Sequence, residues 1–231
     1  MPLMHTTEVE IAAAAARMVV EEGLEYGPAK RRAIKQLGLS GRAPLPSNDV
    51  LEEAVRDYID TFCADTQPSA LRALRALACV WMERMAEFNP HLGGAVWRGT
   101  ATELSDIYLQ LFCDDSKSAE LKLIDKQVRY DVSTVQGFHG DAVDALSVLC
   151  ACPGLEQHGA VQKVLVHLMI YDRDDVRGAI KPDSQGRAQR GNLQAVKRLM
   201  EEDACKYTSL NAMSYWAAWR FWLLWGELAS L

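Results

Sequence analysis

The stretch Gly99-Thr100-Ala101-Thr102-Glu103-Leu104-Ser105-Asp106-Ile107-Tyr108-Leu109 decides how this chain is read. Its small residues make a turn, and the turn feeds an apolar strand that carries Asp106 at its start. Side chains at i and i+2 on a strand share one face. An acid at 106 and a second at 108 would therefore stand together over a divalent cation. Position 108 is a tyrosine, and the functional reading turns on that residue.

Outward from this stretch, the texture differs on the two sides. Residues 1–90 read as helix. A first helix runs to Glu22 and stops at Gly23, and a second runs from Pro28 to Gly38. Ala43 to Asn48 is a linker in which Ser47 or Asn48 caps a third helix, with Leu51, Val55, Tyr58, Ile59 and Phe62 on one face. A fourth begins at Ser69 and ends before Asn89-Pro90. Beyond Pro90, strand-type runs are expected at Gly93–Arg98, Ile107–Phe112, Arg129–Val135 and Ala145–Cys150, with a helix over Ser116–Lys126. Val164–Tyr171 is apolar on both faces except for His167, as in a central strand. Asp172–Arg190 is a polar loop, and Asn192 caps a helix to Glu202. The predicted architecture is α+β. A helical region (1–90) joins a mixed-sheet core with flanking helices (91–203), followed by a C-terminal aromatic helix (204–231).

Composition sets outer bounds. The chain has 231 residues, 49% of them apolar and 24% charged, with a formal charge of −6. An acidic balance argues against a general nucleic-acid coat, which needs a basic surface. Six cysteines lack zinc-knuckle spacing and sit in apolar patterns, which fits a reducing, cytoplasmic setting without disulfides. Glu8 and Glu10 precede the apolar run Ile11–Ala16, where a secretory signal needs positive charge, so no signal peptide is expected.

The quoted stretch resembles the Gly-Ser…Ser-Asp-Ile-Asp-Leu signature of the polymerase-β-like nucleotidyltransferases. Gly99-Thr100 stands where that family has Gly-Ser, and Ser105-Asp106-Ile107 matches Ser-Asp-Ile. The resemblance implies a turn cradling nucleotide phosphates, Mg²⁺ on the strand carboxylates, and a third position on the Val164–Tyr171 strand. It assigns Asp106 as the catalytic and metal-binding residue. Gly99, Thr100, Ser105, Tyr108 and His167 fall at the nucleotide. Three departures accompany the match. Tyr108 replaces the second acid, His167 stands at the third position, and the Thr100-to-Asp106 gap is about half the family's. A broader pattern also looks like a group of uncharacterised bacterial proteins, some carrying a nucleotidyltransferase label and some a muramate–alanine ligase name. It comprises Glu21-Glu22-Gly23-Leu24, Ala29 to Arg32, Leu37-Gly38, Leu45 to Asn48, Asn89 to Leu92, and Gly99-Thr100 with Ser105-Asp106-Ile107. The ligase reading fails because no Gly-rich loop ending in Lys-Ser/Thr is present.

Three functions follow as expectations. The first is a catalytically degenerate nucleotidyltransferase-like protein that binds a nucleotide or a partner. The second is an active Mg²⁺-dependent enzyme that recruits Asp114, Asp115 or Asp172 beside Asp106. The third is an interaction protein using the C-terminal aromatic helix, including as a homo-oligomer. Whether the chain is an enzyme stays open. Arg177, in a loop with Arg173, Lys181, Arg187 and Arg190, is a candidate phosphate contact, although Asp172, Asp174 and Asp175 compensate that charge locally. The histidines 5, 91, 139, 158 and 167 form no zinc motif. Trp216, Trp219, Trp222 and Trp225 make an aromatic run that is too short and too charged for a membrane span.

Overall fold

The structure is a computed structural model that describes residues 6–138, 140–183 and 186–205. The tryptophan run lies outside the described residues, as do His5 and His139. Contacts divide the chain into two units, 1–193 and 194–231. In the second unit the described residues, to position 205, are helical.

The first unit opens with α1 (Thr6–Glu22), α2 (Tyr26–Gln36) and α3 (Asn48–Phe62), within two residues of the expected bounds. Ser47 caps α3, its hydroxyl oxygen accepting from the Val50 amide at 3.2 Å. Ile11 and Ala15 of α1, Ala29 and Ala33 of α2, and Leu51 and Val55 of α3 share one apolar core. The alanines let the helix axes approach closely. Lys30 is buried, and its ammonium donates to the Pro46 carbonyl at 2.6 Å and to Asn48 Oδ1 at 2.7 Å, strapping α2 to the start of α3. Arg32 of α2 pairs with Glu22 at the end of α1 at 2.5 Å.

Helix α4 (Gln67–Arg84) is buried along most of its length, including Leu71, Leu74, Ala78, Trp81 and Met82. It lies on a mixed sheet whose six described strands run in the order β3-β4-β5-β2-β1-β6. These are β1 (His91–Gly93), β2 (Ile107–Cys113), β3 (Asp131–Gln136), β4 (Ala142–Gln157), β5 (Ala160–Asp172) and β6 (Gly191–Asn192). Only β2 and β5 pair in parallel, and every other neighbour is antiparallel. Ile107, Leu109, Leu111, Leu146, Val148, Val166, Leu168 and Ile170 are buried on one face. Burying each such side chain contributes about 1.5–3 kcal/mol. The polar residues of β2, β4 and β5 alternate onto the other face.

Two expectations are corrected. Gly93–Arg98 is not a strand, because β1 ends at Gly93 and α5 (Gly94–Arg98) follows. Gly94 turns the chain at φ +66°, a conformation that glycine adopts without strain. The buried guanidinium of Arg75, on α4, then donates to the carbonyls of Val96 and Trp97, and those tertiary bonds override strand propensity. Likewise β4 extends well past Cys150 to Gln157. It absorbs Pro153-Gly154 at a register shift between Ala151 and Glu156. It then reverses through His158 (φ +54°) and Gly159 (φ +77°), a two-residue loop of the twist that hairpins favour. The polar loop after β5 also holds more structure than expected, in a 3-10 turn (Arg173–Asp175), α7 (Val176–Ala179) and β6. Helix α6 (Lys117–Asp125) falls where the periodicity places it.

The β6 edge depends on a close approach. A Cβ on Gly191 would stand 2.2 Å from the Trp97 ring, whose indole N–H donates to the Ala188 carbonyl at 2.7 Å. Gly191→Ala is expected to lower stability by about 1–3 kcal/mol through overpacking. Gly41→Ala, where nothing lies within 4 Å, should change little. Urea midpoints of the two variants check this, and equal midpoints would contradict it.

Candidate functional site

Strand register assembles the site. Gly93 pairs with Tyr108, Tyr108 with His167, and His167 with Ser147. One row across β1, β2, β5 and β4 therefore points to the face away from α4. Asp106 precedes β2 by one residue and shares the face of Tyr108. The Tyr108 and His167 rings stack, with centroids 4.8 Å apart and planes 23° apart. Ser147 Oγ lies 2.8 Å from His167 Nδ1, and Asp106 Oδ2 lies 3.4 Å from His167 Nε2. An ionised carboxylate can only accept. So Nε2 carries the proton toward Asp106, and Nδ1 accepts from the Ser147 hydroxyl when the ring is neutral. The Tyr108 hydroxyl donates to Glu25 Oε1 at 3.1 Å. Gly94 closes one side, where a Cβ would meet Tyr108 Cδ2 at 3.4 Å.

Asp106, Tyr108 and His167 thus come together. The remaining sequence candidates do not join them. The amides of Gly99 and Thr100 both bond the Ala95 carbonyl. The Gly99 and Ala101 carbonyls accept from Gln67 of α4 at 3.0 and 2.8 Å, and Thr100 is buried. This turn ends α5 and docks it on α4, and the Gly99 and Thr100 amides are both committed to the Ala95 carbonyl rather than to a phosphate. Ser105 turns inward, its hydroxyl oxygen accepting from the Thr102 amide at 2.9 Å. Arg177 lies in α7, beyond the carboxyl end of β5, whereas Asp106 stands at the amino end of the parallel strand β2. Asp114, Asp115 and Asp172 stand at the far end too, since Cys113 pairs with Asp172. A seven-residue strand separates them from Asp106, about 20 Å at the strand rise. They do not supplement its charge.

Sequence reading missed Ser147, Glu25 and the turn that actually joins a strand to a helix, Gly93-Gly94. The last carried a signal, a double glycine directly after Leu92. Ser147 and Glu25 carried none, because only pairing register and the α1–α2 connection bring them here.

The electrostatics follow from this geometry. Burial pushes the Tyr108 phenol well above its ordinary range, and the charges of Glu25 and then Asp106 push it further. It is a neutral donor, not an anionic ligand. A hard dication seeks several oxygen donors in near-octahedral array. The row offers one carboxylate, a phenol committed to Glu25 and an imidazole committed to Ser147, so Mg²⁺ does not fit it. Among the described residues no three His, Cys, Asp or Glu side chains gather as a metal would require. The Ser147–His167–Asp106 chain also lacks a feature of acyl-transfer sites. Ser147 sits mid-strand between β3 and β5, where backbone amides are committed to the ladder and none can receive an oxyanion. The chain of bonds orients the imidazole and fixes its tautomer.

A larger opening, about 1450 Å³, lies at the far end of the sheet beside α6 and α7. Its charges compensate one another, with Arg173 to Asp114 at 2.8 Å and Lys122 to Glu87 at 2.7 Å. Cys113 lines it, but burial and the neighbouring Asp114 and Asp115 push that thiol up to about 11, so it is no nucleophile at neutral pH. Neither a family model, nor a curated protein, nor a solved structure matches the chain. No helix among the described residues is long and apolar enough to cross a membrane.

Tyr108 gives a signed pH prediction. Its folded pKa lies above the ordinary 10.0. The unfolded phenol therefore ionises first, and the contribution is complete below about pH 10 and lost as pH rises further. Tyr108→Phe should make the fall of the urea midpoint between about pH 9 and pH 11 shallower than in the native chain. An unchanged slope would contradict the buried phenol.

Proposed function

We propose that this protein is a catalytically degenerate nucleotidyltransferase-like protein, one that binds a nucleotide or a protein partner without transferring a nucleotidyl group. One observation carries the reading. The three positions that face the Gly93-Gly94 turn (106, 108 and 167) hold a single carboxylate, with the other two occupied by stacked rings already hydrogen-bonded elsewhere.

Two further features support it. A short strand, a double-glycine turn, a helix and a strand bearing Asp106 follow in order, and β5 lies parallel beside that strand with His167 opposite Tyr108. Eleven residues, Ala95 to Ser105, separate Gly94 from Asp106. That is roughly twice the gap counted from Thr100, so the shortened spacing noted in the sequence disappears once Gly93-Gly94 is taken as the turn. Nucleotidyl transfer depends on cations that neutralise charge as it develops. With a single carboxylate at the row to hold such cations, the transfer step lacks its support, while the stacked phenol and imidazole still offer a binding surface.

Isothermal titration tests this. Mg²⁺ is expected to bind the native chain no tighter than about 1 mM, because a lone exposed carboxylate holds it weakly. Nucleoside triphosphates should show no Mg²⁺-dependent turnover. The double variant Tyr108→Asp/His167→Asp, which supplies two carboxylates on the face of Asp106, should bind Mg²⁺ at least roughly tenfold tighter. Turnover by the native chain with Mg²⁺ would overturn the proposal.

A further inference from the structure

Helices α1 and α3 leave an outward-facing groove of about 410 Å³ away from the candidate site, with Ala54 and Tyr58 of its lining also packed on the helical core. Small residues line it, with Ala12 and Ala54 toward its floor and the exposed Ala13 at its rim. At one end stands an aromatic ledge. The Tyr58 hydroxyl donates to Glu21 Oε1 at 2.5 Å, which fixes its ring. Phe62 packs on that ring with centroids 4.6 Å apart and leaves 68% of its own surface exposed. At the other end Val9 is half exposed. An exposed aromatic anchor beside such a cleft offers a partner an apolar contact.

The shape and charge of the strip select its occupant. Residues 9–13 of α1 and 50–62 of α3 line it, so it is elongated along α3. A floor of alanines lets a third helix approach closely. The charged residues lining it are Glu53 and Asp57, with no lysine or arginine among the described lining residues. A second copy of the same surface would set acid against acid. We propose that this groove receives an amphipathic helix of a partner protein, with apolar side chains at i, i+3, i+4 and i+7 on Phe62, Tyr58 and Val9, and with lysines or arginines flanking that stripe beside Glu53 and Asp57. This is the helix-in-groove mode of recognition. Rigid aromatic anchors such as the Tyr58–Phe62 pair supply most of the affinity of such contacts.

A fluorescently labelled synthetic helix of about 15 residues, with leucines on one stripe and lysines elsewhere, tests the proposal by anisotropy against the full chain. Saturable binding is expected, weakened at least roughly tenfold by Phe62→Ser and also by the double variant Glu53→Lys/Asp57→Lys. The double variant Asp114→Lys/Asp115→Lys changes net charge by the same amount away from the groove, and it should leave the affinity unchanged. Circular dichroism checks each fold. If Phe62→Ser unfolds, the exposed charge reversals carry the test alone. The proposal is overturned if binding does not saturate, or if the groove variants bind as the native chain does. It is equally overturned if the Asp114/Asp115 reversal weakens binding as much, or if a glutamate version of the peptide binds equally. A dimer in analytical ultracentrifugation that Phe62→Ser dissociates would also overturn it.

Discussion

The register between β2 and β5 is the constraint on which the rest of the molecule depends. Seven parallel pairs, from Ile107 opposite Val166 to Cys113 opposite Asp172, set it. Because side chains alternate, this register sends Ile107, Leu109 and Leu111 with Val166, Leu168 and Ile170 onto α4. It also sends Tyr108 and His167 together onto the other face. A slip of either strand by one residue would bury its phenol or its imidazole under α4 and expose its three aliphatic side chains, an inversion no local contact could offset. The core and the candidate site are thus two outcomes of one pairing.

Helix α4 enforces that pairing from above and also ties down what lies beside it. Arg75 and Gln67 are polar residues buried on a helix otherwise packed with apolar side chains. Each has its donors on backbone carbonyls of α5 or of the turn after it. Buried polar groups are tolerated when satisfied in this way. Their effect is to hold α5 against the sheet, and α5 in turn anchors the helical region. Glu52 of α3 is buried and pairs with Arg98 of α5 at 3.2 Å and with Arg56 at 2.7 Å, while the Arg98 guanidinium lies over the Tyr26 ring. A chain of satisfied charges therefore runs from α3 through α5 to α4.

The face opposite α4 has the opposite electrostatic character. Asp106, with Glu25 beyond the phenol, makes it acidic, and both charges push the Tyr108 phenol up. The hydrogen-bond chain through His167 takes up the polar groups that would otherwise be free to ligate. What remains accessible is a flat pair of rings with a carboxylate at its edge.

Much of this was legible along the chain. Helical periodicity with caps and stop signals located α1 to α4 and α6. The run of apolar residues broken only by His167 located the central strand, and the contrast between Asp106 and Tyr108 marked the face that carries the site. These features are local, set by propensity, by capping and by whether apolar residues recur every second or every third to fourth position. Position 94 shows where that reasoning stops. The residues after it have strand propensity, yet they wind into α5 because Arg75, about twenty residues away, takes their carbonyls. The same holds for Gly99 and Thr100, whose small size suggested a phosphate cradle until Gln67 and Ala95 were seen to occupy the turn's polar groups. Sequence by itself determined the long helices and the central strands, and that only one acid stands at the start of β2. Tertiary structure alone decided that Ser147 and Glu25 join that acid's neighbourhood, and that Asp114, Asp115, Asp172 and Arg177 do not. Those placements depend on how strands separated by tens of residues pair, and pairing is set by burial of whole faces rather than by any neighbour along the chain.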